Sequence, residues 1–184
     1  MPTEAMRGRA GAGVGDLTPL LQAIFVEAHL QKQRVITRRH VEDAASKVRS
    51  VSAMHRLLKL VQADRMPLLT LLTREPLKLQ AAHLSFQEYY VARAICAKQV
   101  VLSTAPWELP EWWANTVRLG VEMGEAFGEG LRALSGKRLE GRTVKLALRG
   151  HKPTAAAALG ALVRCSREVE ELIVATAKLP VGQL

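Results

Sequence analysis

The chain has 184 residues, enough for one large or two small domains, and 48% of them are hydrophobic, enough for a sizeable core. Its net charge of +9 is uneven: residues 1–99 hold 15 Lys/Arg against 8 Asp/Glu, and residues 100–184 hold 11 against 9. No apolar run approaches the roughly eighteen residues of a membrane helix, Met1 to Gly15 has no apolar secretory core, and two distant cysteines, Cys96 and Cys165, frame neither a disulfide nor a zinc site.

In chain order, residues 1–15 lack periodicity and are expected to be disordered. Thr18 followed by Pro19 predicts a helix start, with Thr18 as the cap and Leu21, Ile24, Phe25 and Ala28 facing inward. Gln31 to Arg34 reads as a turn and Val35-Ile36 as a short extended piece. Thr37 caps a second helix with Val41, Ala44, Ala45 and Val48 inward. A third follows Ser50–Ser52, with Met54, Leu57, Leu58 and Val61 inward, and Asp64-Arg65-Met66-Pro67 ends it. Leu68–Thr73 and Leu77–Ala82 predict two strands joined by Arg74-Glu75-Pro76. Three helices and then a hairpin is the order of a winged helix.

The next stretch, His83-Leu84-Ser85-Phe86-Gln87-Glu88-Tyr89-Tyr90, reads as a strand end running into a helix. Ser85 and Glu88 have the spacing of a capping box. Phe86, Tyr90 and Ala94, flanked by Val91 and Ile95, predict the buried face. His83 stands just before the helix, where free N–H groups and the dipole favour an anion. This stretch resembles the H-x-S-F-Q-E-[FY]-x-A-A motif that closes the winged-helix region of NACHT-type signalling ATPases (STAND proteins, the NOD-like receptors); Val91 departs from the small residue usual there. With weaker flanks the resemblance covers roughly residues 17–99. It implies a lid in which the motif's histidine, His83 in this chain, contacts the phosphates of ADP held by an ATPase core.

Beyond Lys98 the composition changes. Ser103 to Trp113 is a Pro- and Trp-rich connector whose three tryptophans, Trp107, Trp112 and Trp113, are expected to plug a domain junction. From Asn115 the pattern is helical, with Val117, Val121 and Phe127 inward; Gly120, Gly124, Gly128 and Gly130 weaken the helix, while the G-x-x-x-G spacing allows close helix packing. Val144–Leu148 and Glu171–Val174 predict two strands around a helix from Thr154 to Cys165, with Leu159, Leu162 and Val163 inward. That alternation resembles the start of leucine-rich repeats, with His151 in place of the usual Asn.

The expected architecture is therefore mainly α with a small β-hairpin. It comprises a disordered 1–15, a winged-helix domain over 16–99, a helical connector over 100–140 and one to two β/α repeats over 141–184. The sequence has no G-x-x-x-x-G-K-[ST], HExxH, C-x-x-C or G-x-S-x-G, and its five histidines lack ligand spacing. The expected role is non-catalytic: a cytoplasmic regulatory and protein-binding piece of a larger switch. Such a piece needs no cofactor by itself and meets ADP or ATP only through the ATPase core. Its partners would be that core and proteins bound by the repeats, with no membrane. The alternative is a winged-helix nucleic-acid binder whose third helix offers Arg56 and Lys59, beside His55 and Gln62, to phosphates. A third reading is a degenerate fragment without activity.

Overall fold

The computed structural model describes residues 17–102, 104–134, 143–148, 153–164 and 171–176. The expected disorder of residues 1–15, the role of His151 and the helical position of Cys165 lie outside the described residues. The chain divides into two compact units, residues 1–90 and 91–184. It is mainly helical, with a small three-stranded antiparallel sheet in the first unit.

In the first unit, α1 (Thr18–Leu30) is followed by β1 (Val35–Thr37), α2 (Arg38–Lys47), α3 (Val51–Gln62), β2 (Leu69–Thr73) and β3 (Lys78–Ala81). The sheet order is β1-β3-β2, so β3 is central and both its neighbours run antiparallel to it. Alternation along the strands sends Ile36, Leu69, Leu79 and Ala81 into the core, while Val35, Thr70, Lys78 and Gln80 stay exposed. β2 carries a bulge between Leu71 and Thr73: Leu71 pairs with Leu79 and Thr73 with Lys78, which leaves Leu72 without a partner position and exposed.

The inward residues of α1 and α2 are those that the 3.6-residue period picks out. Leu21, Ile24, Phe25, Ala28, Val41, Ala44 and Ala45 form one cluster with Ile36, Leu57, Val61, Leu69 and Leu79. On α3, Leu57 and Val61 are buried, and Met54 and Leu58 pack partly against the cluster. Thr18 is not the cap of α1. The preceding Leu17 has helical φ and ψ and takes that position without a side-chain hydrogen bond. Its side chain is fully buried, so packing fixes the helix entry.

Helices α1, α2 and α3 end alike. Lys32, Arg49 and Asp64 each adopt positive φ just past the helix, and the next amide folds back to a carbonyl five residues earlier, at 2.8, 3.0 and 2.8 Å. This is the left-handed helix stop usually given to glycine.

The helix after the sheet, α4 (Leu84–Cys96), begins one residue before Ser85. The Phe86 amide donates to the His83 carbonyl at 3.0 Å and closes the first turn there. Ser85 therefore lies in the first turn and is exposed, so the Ser85–Glu88 capping box is not the start of the helix. The buried face is also rotated from the expected one. Gln87, Glu88, Val91, Ala92, Ala94 and Ile95 are buried, while Phe86 and Tyr90 are half-buried. Tyr90 still packs on the core, its ring 5.3 Å from that of Phe25.

In the second unit two short 3-10 turns, Pro106–Glu108 and Glu111–Trp113, lead to α5 (Ala114–Glu122) and α6 (Glu125–Leu134). Trp113 is buried and Trp112 half-buried. The continuous helix expected from Asn115 is broken at Gly124, whose φ of 76° suits glycine and ends α5. Val117 and Phe127 are fully inward. Gly130 lets α6 approach the main chain of Ile95 so closely that a β-carbon there would lie 2.1 Å from the Ile95 carbonyl oxygen. Then β4 (Thr143–Leu148), α7 (Pro153–Arg164) and β5 (Glu171–Thr176) form one β-α-β unit with parallel strands, Thr143 opposite Glu171 and Leu148 opposite Thr176. The small face Ala155, Ala158 and Ala161, with Leu159 and Leu162, is buried, and α7 packs on α5 and α6.

Candidate functional site

His83 connects β3 to α4. Its side chain is exposed, and its ring meets Phe86 edge-on at 5.6 Å between centroids. The main chain around it is set by the Ala82 amide donating to the Leu68 carbonyl at 3.0 Å and by the turn closed on the His83 carbonyl. His83 thus immediately precedes a 13-residue helix and its side chain is exposed.

Gln87, one turn further along, has a different role. Its side chain is fully buried and its Nε2 donates to the Gln33 carbonyl at 3.1 Å, across 54 residues of sequence. This bond ties α4 to the turn between α1 and β1. Among the described residues its Oε1, which is buried, has no hydrogen-bond donor.

The same turn is held from its other side. His40, almost fully buried in the first turn of α2, accepts the Thr37 N–H at Nδ1 (3.0 Å), and its Nε2 lies 3.0 Å from Gln31 Oε1. Thr37 is the cap of α2, as its sequence suggests, and His40 stands three residues on, where Glu or Gln usually closes a capping box. Burial pulls the His40 pKa below its ordinary value; Glu27 and Asp43 oppose that shift and Arg39 adds to it. The T-x-x-H spacing was the available signal for this residue.

Arg56 and Lys59, with His55 and Gln62, lie on the exposed side of α3. Arg56 also lines a cavity of about 210 Å³ with Leu17, Ser50, Ser52 and Ala53 at the start of that helix. Ser50 caps it by accepting the Ala53 amide at 3.3 Å. His83, Arg56 and Lys59 belong to the same unit, but His83 is at the sheet end of α4 and the other two are on α3. In the second unit a groove of about 470 Å³ runs between α5 and α7, lined by Glu111, Ala114, Arg118, Val121, Thr154 and Ala157 among others. Arg118 is engaged there by Asn115 and Glu122.

Among the described residues no group of three His, Cys, Asp or Glu could hold a metal ion, and no helix is long and apolar enough to cross a membrane. Comparison with protein families, curated proteins and solved structures returns no match to this chain.

Proposed function

We propose that this chain is a non-catalytic regulatory and protein-interaction module of a NACHT-type, nucleotide-dependent signalling protein. In this reading the first unit is a winged-helix lid over a nucleotide held by an ATPase core, and the β-α-β unit begins a set of leucine-rich repeats that bind protein. The setting is cytoplasmic. The observation that carries the reading is the placement of the His83–Tyr90 motif. Its histidine is exposed at the junction of β3 and α4, while its glutamine is buried and fixes the helix from behind. A lid residue that serves a nucleotide on another domain has to be exposed on the lid itself. The α-β-α-α-β-β order with sheet order β1-β3-β2 supports the winged-helix part. The parallel pair β4 and β5 with α7 between them in sequence supports the repeat part.

Joined to an ATPase core, His83→Ala is expected to weaken ADP retention and favour the open state, because closure loses a phosphate contact. The 184-residue chain alone, which lacks a phosphate-binding loop and its lysine, is expected to show no ADP binding by calorimetry. Tight binding by the chain alone, or unchanged ADP affinity and signalling in the joined variant, overturns the proposal.

The second reading, a nucleic-acid binder, rests on the exposed cations of α3. It requires duplex affinity that falls linearly with log salt and loses about two units of slope in an Arg56→Ala, Lys59→Ala double variant. Sequence-selective, sub-micromolar binding at physiological salt would replace the lid reading with this one.

A further inference from the structure

We propose that Phe86 is a positioning residue for His83: its ring holds the exposed imidazole in one orientation and so prepares it to meet a phosphate. This role rests on the lid reading of the first unit. The observation behind it is a phenylalanine that the core does not use. Phe86 opens the apolar stripe of its helix in the sequence, yet its side chain is only half-buried. The described hydrophobic cluster of the first unit takes in Tyr90, one turn later, but not Phe86.

Local geometry brings the two rings together. The Phe86 amide donates to the His83 carbonyl at 3.0 Å, a three-residue closure that puts both side chains on one side of the turn. Their ring centroids lie 5.6 Å apart with 68° between the planes, an edge-to-face arrangement inside the range that aromatic pairs prefer. Among the described residues the imidazole has no hydrogen bond or ion pair. The ring contact is therefore the side-chain interaction that favours one His83 rotamer over the others.

Exposure is what makes this ordering matter. An exposed side chain samples several staggered rotamers, and a contact made by one of them is weakened by the fraction of time spent in the others. Fixing the rotamer in advance removes that loss. The main chain beneath is already fixed, by the turn closed on the His83 carbonyl and by the Ala82 amide donating to the Leu68 carbonyl at 3.0 Å. Phe86 extends that order from the main chain to the imidazole. Leucine at this position would keep apolar bulk without a ring, whereas tyrosine would keep the ring.

Two measurements test the role. In the full 184-residue chain, proton NMR reads the ring-current displacement of the His83 side-chain resonances, assigned by their loss in His83→Ala. The expected result is a displacement in the parent and in Phe86→Tyr that disappears in Phe86→Leu. With the chain joined to an ATPase core, Phe86→Leu is expected to weaken ADP affinity by about two- to tenfold, the worth of an edge-to-face pair. Phe86→Tyr should restore it, and Phe86→Leu should add nothing once His83 is alanine. A merely structural role would weaken ADP binding in both backgrounds. The parent displacement and Phe86→Tyr stand by themselves should Phe86→Leu fold poorly. Three results overturn the positioning role while the lid reading survives: no displacement in the parent, an equal loss of ADP affinity in the His83→Ala background, or full affinity in Phe86→Leu where His83→Ala has lost it. Unchanged ADP affinity in His83→Ala overturns the lid reading and the positioning role with it.

Discussion

Replacing Gly130 by Ala sets two effects of opposite sign against each other. Gly130 lies inside α6, where intrinsic helix propensity favours Ala by about 1 kcal/mol. The added β-carbon, however, would stand 2.1 Å from the Ile95 carbonyl oxygen and 2.7 Å from its carbon, with Ile95 Cγ2 at 3.1 Å. The first two atoms are main chain, so no rotamer change relieves the clash, and trimming the Ile95 side chain would not either. To restore ordinary contact α6 has to withdraw by more than an ångström, which loosens the fully buried Phe127, Leu131 and Ile95. Overpacking in a dense core costs about 1–3 kcal/mol and more where main chain has to move. The expected net loss is therefore about 2 kcal/mol or more. Urea unfolding followed by tryptophan emission measures it, because Trp107, Trp112 and Trp113 all belong to the unit that contains Gly130. A Gly130→Ala protein that is as stable as the parent, or about 1 kcal/mol more stable, refutes the close approach of α6 to Ile95.

Phe25→Ala, which empties a fully buried site, should cost about 3–5 kcal/mol in chemical unfolding, whereas Phe86→Ala, at a half-buried ring, should cost clearly less. His29 is fully buried, and burial lowers its pKa from 6.5 to about 4. The folded state refuses a proton that the unfolded chain accepts. Its contribution is complete above pH 6.5 and lost as pH falls towards about 4, some 3 kcal/mol in all, so unfolding midpoints at pH 7 and 4 should converge in His29→Asn relative to the parent. Arg49→Gly and Asp64→Gly, at exposed left-handed helix stops, should each raise thermal stability by up to about 1 kcal/mol, and additively because they end different helices.

The elements of the first unit were readable because local signals and tertiary demand agree there. Thr37 caps its helix where its sequence says it should, and the alternation Leu77-Lys78-Leu79-Gln80-Ala81 is an exposed–buried strand in the structure. The errors fall where a neighbour far along the chain decides. Leu17 displaced Thr18 as cap because burying a leucine outweighs one hydroxyl bond. The face of α4 turned towards Gln87 because Gln33, 54 residues away, supplies an acceptor that no pattern within the helix reveals. The place of His83 just before a helix was legible in the sequence. The bonds of His40 were not, since only the fold brings Gln31 to its Nε2.

The bulge at Leu72 bears on self-association. β2 is an edge of its sheet and reads Leu-Thr-Leu-Leu-Thr, an apolar, β-prone run with no charge of its own. A straight strand of that composition would present a regular row of main-chain donors and acceptors to a second molecule. The extra residue kinks that row, so an incoming strand cannot keep register past Leu71. Deleting Leu72 would straighten the edge, and the shortened protein should form intermolecular sheet at concentrations where the parent does not.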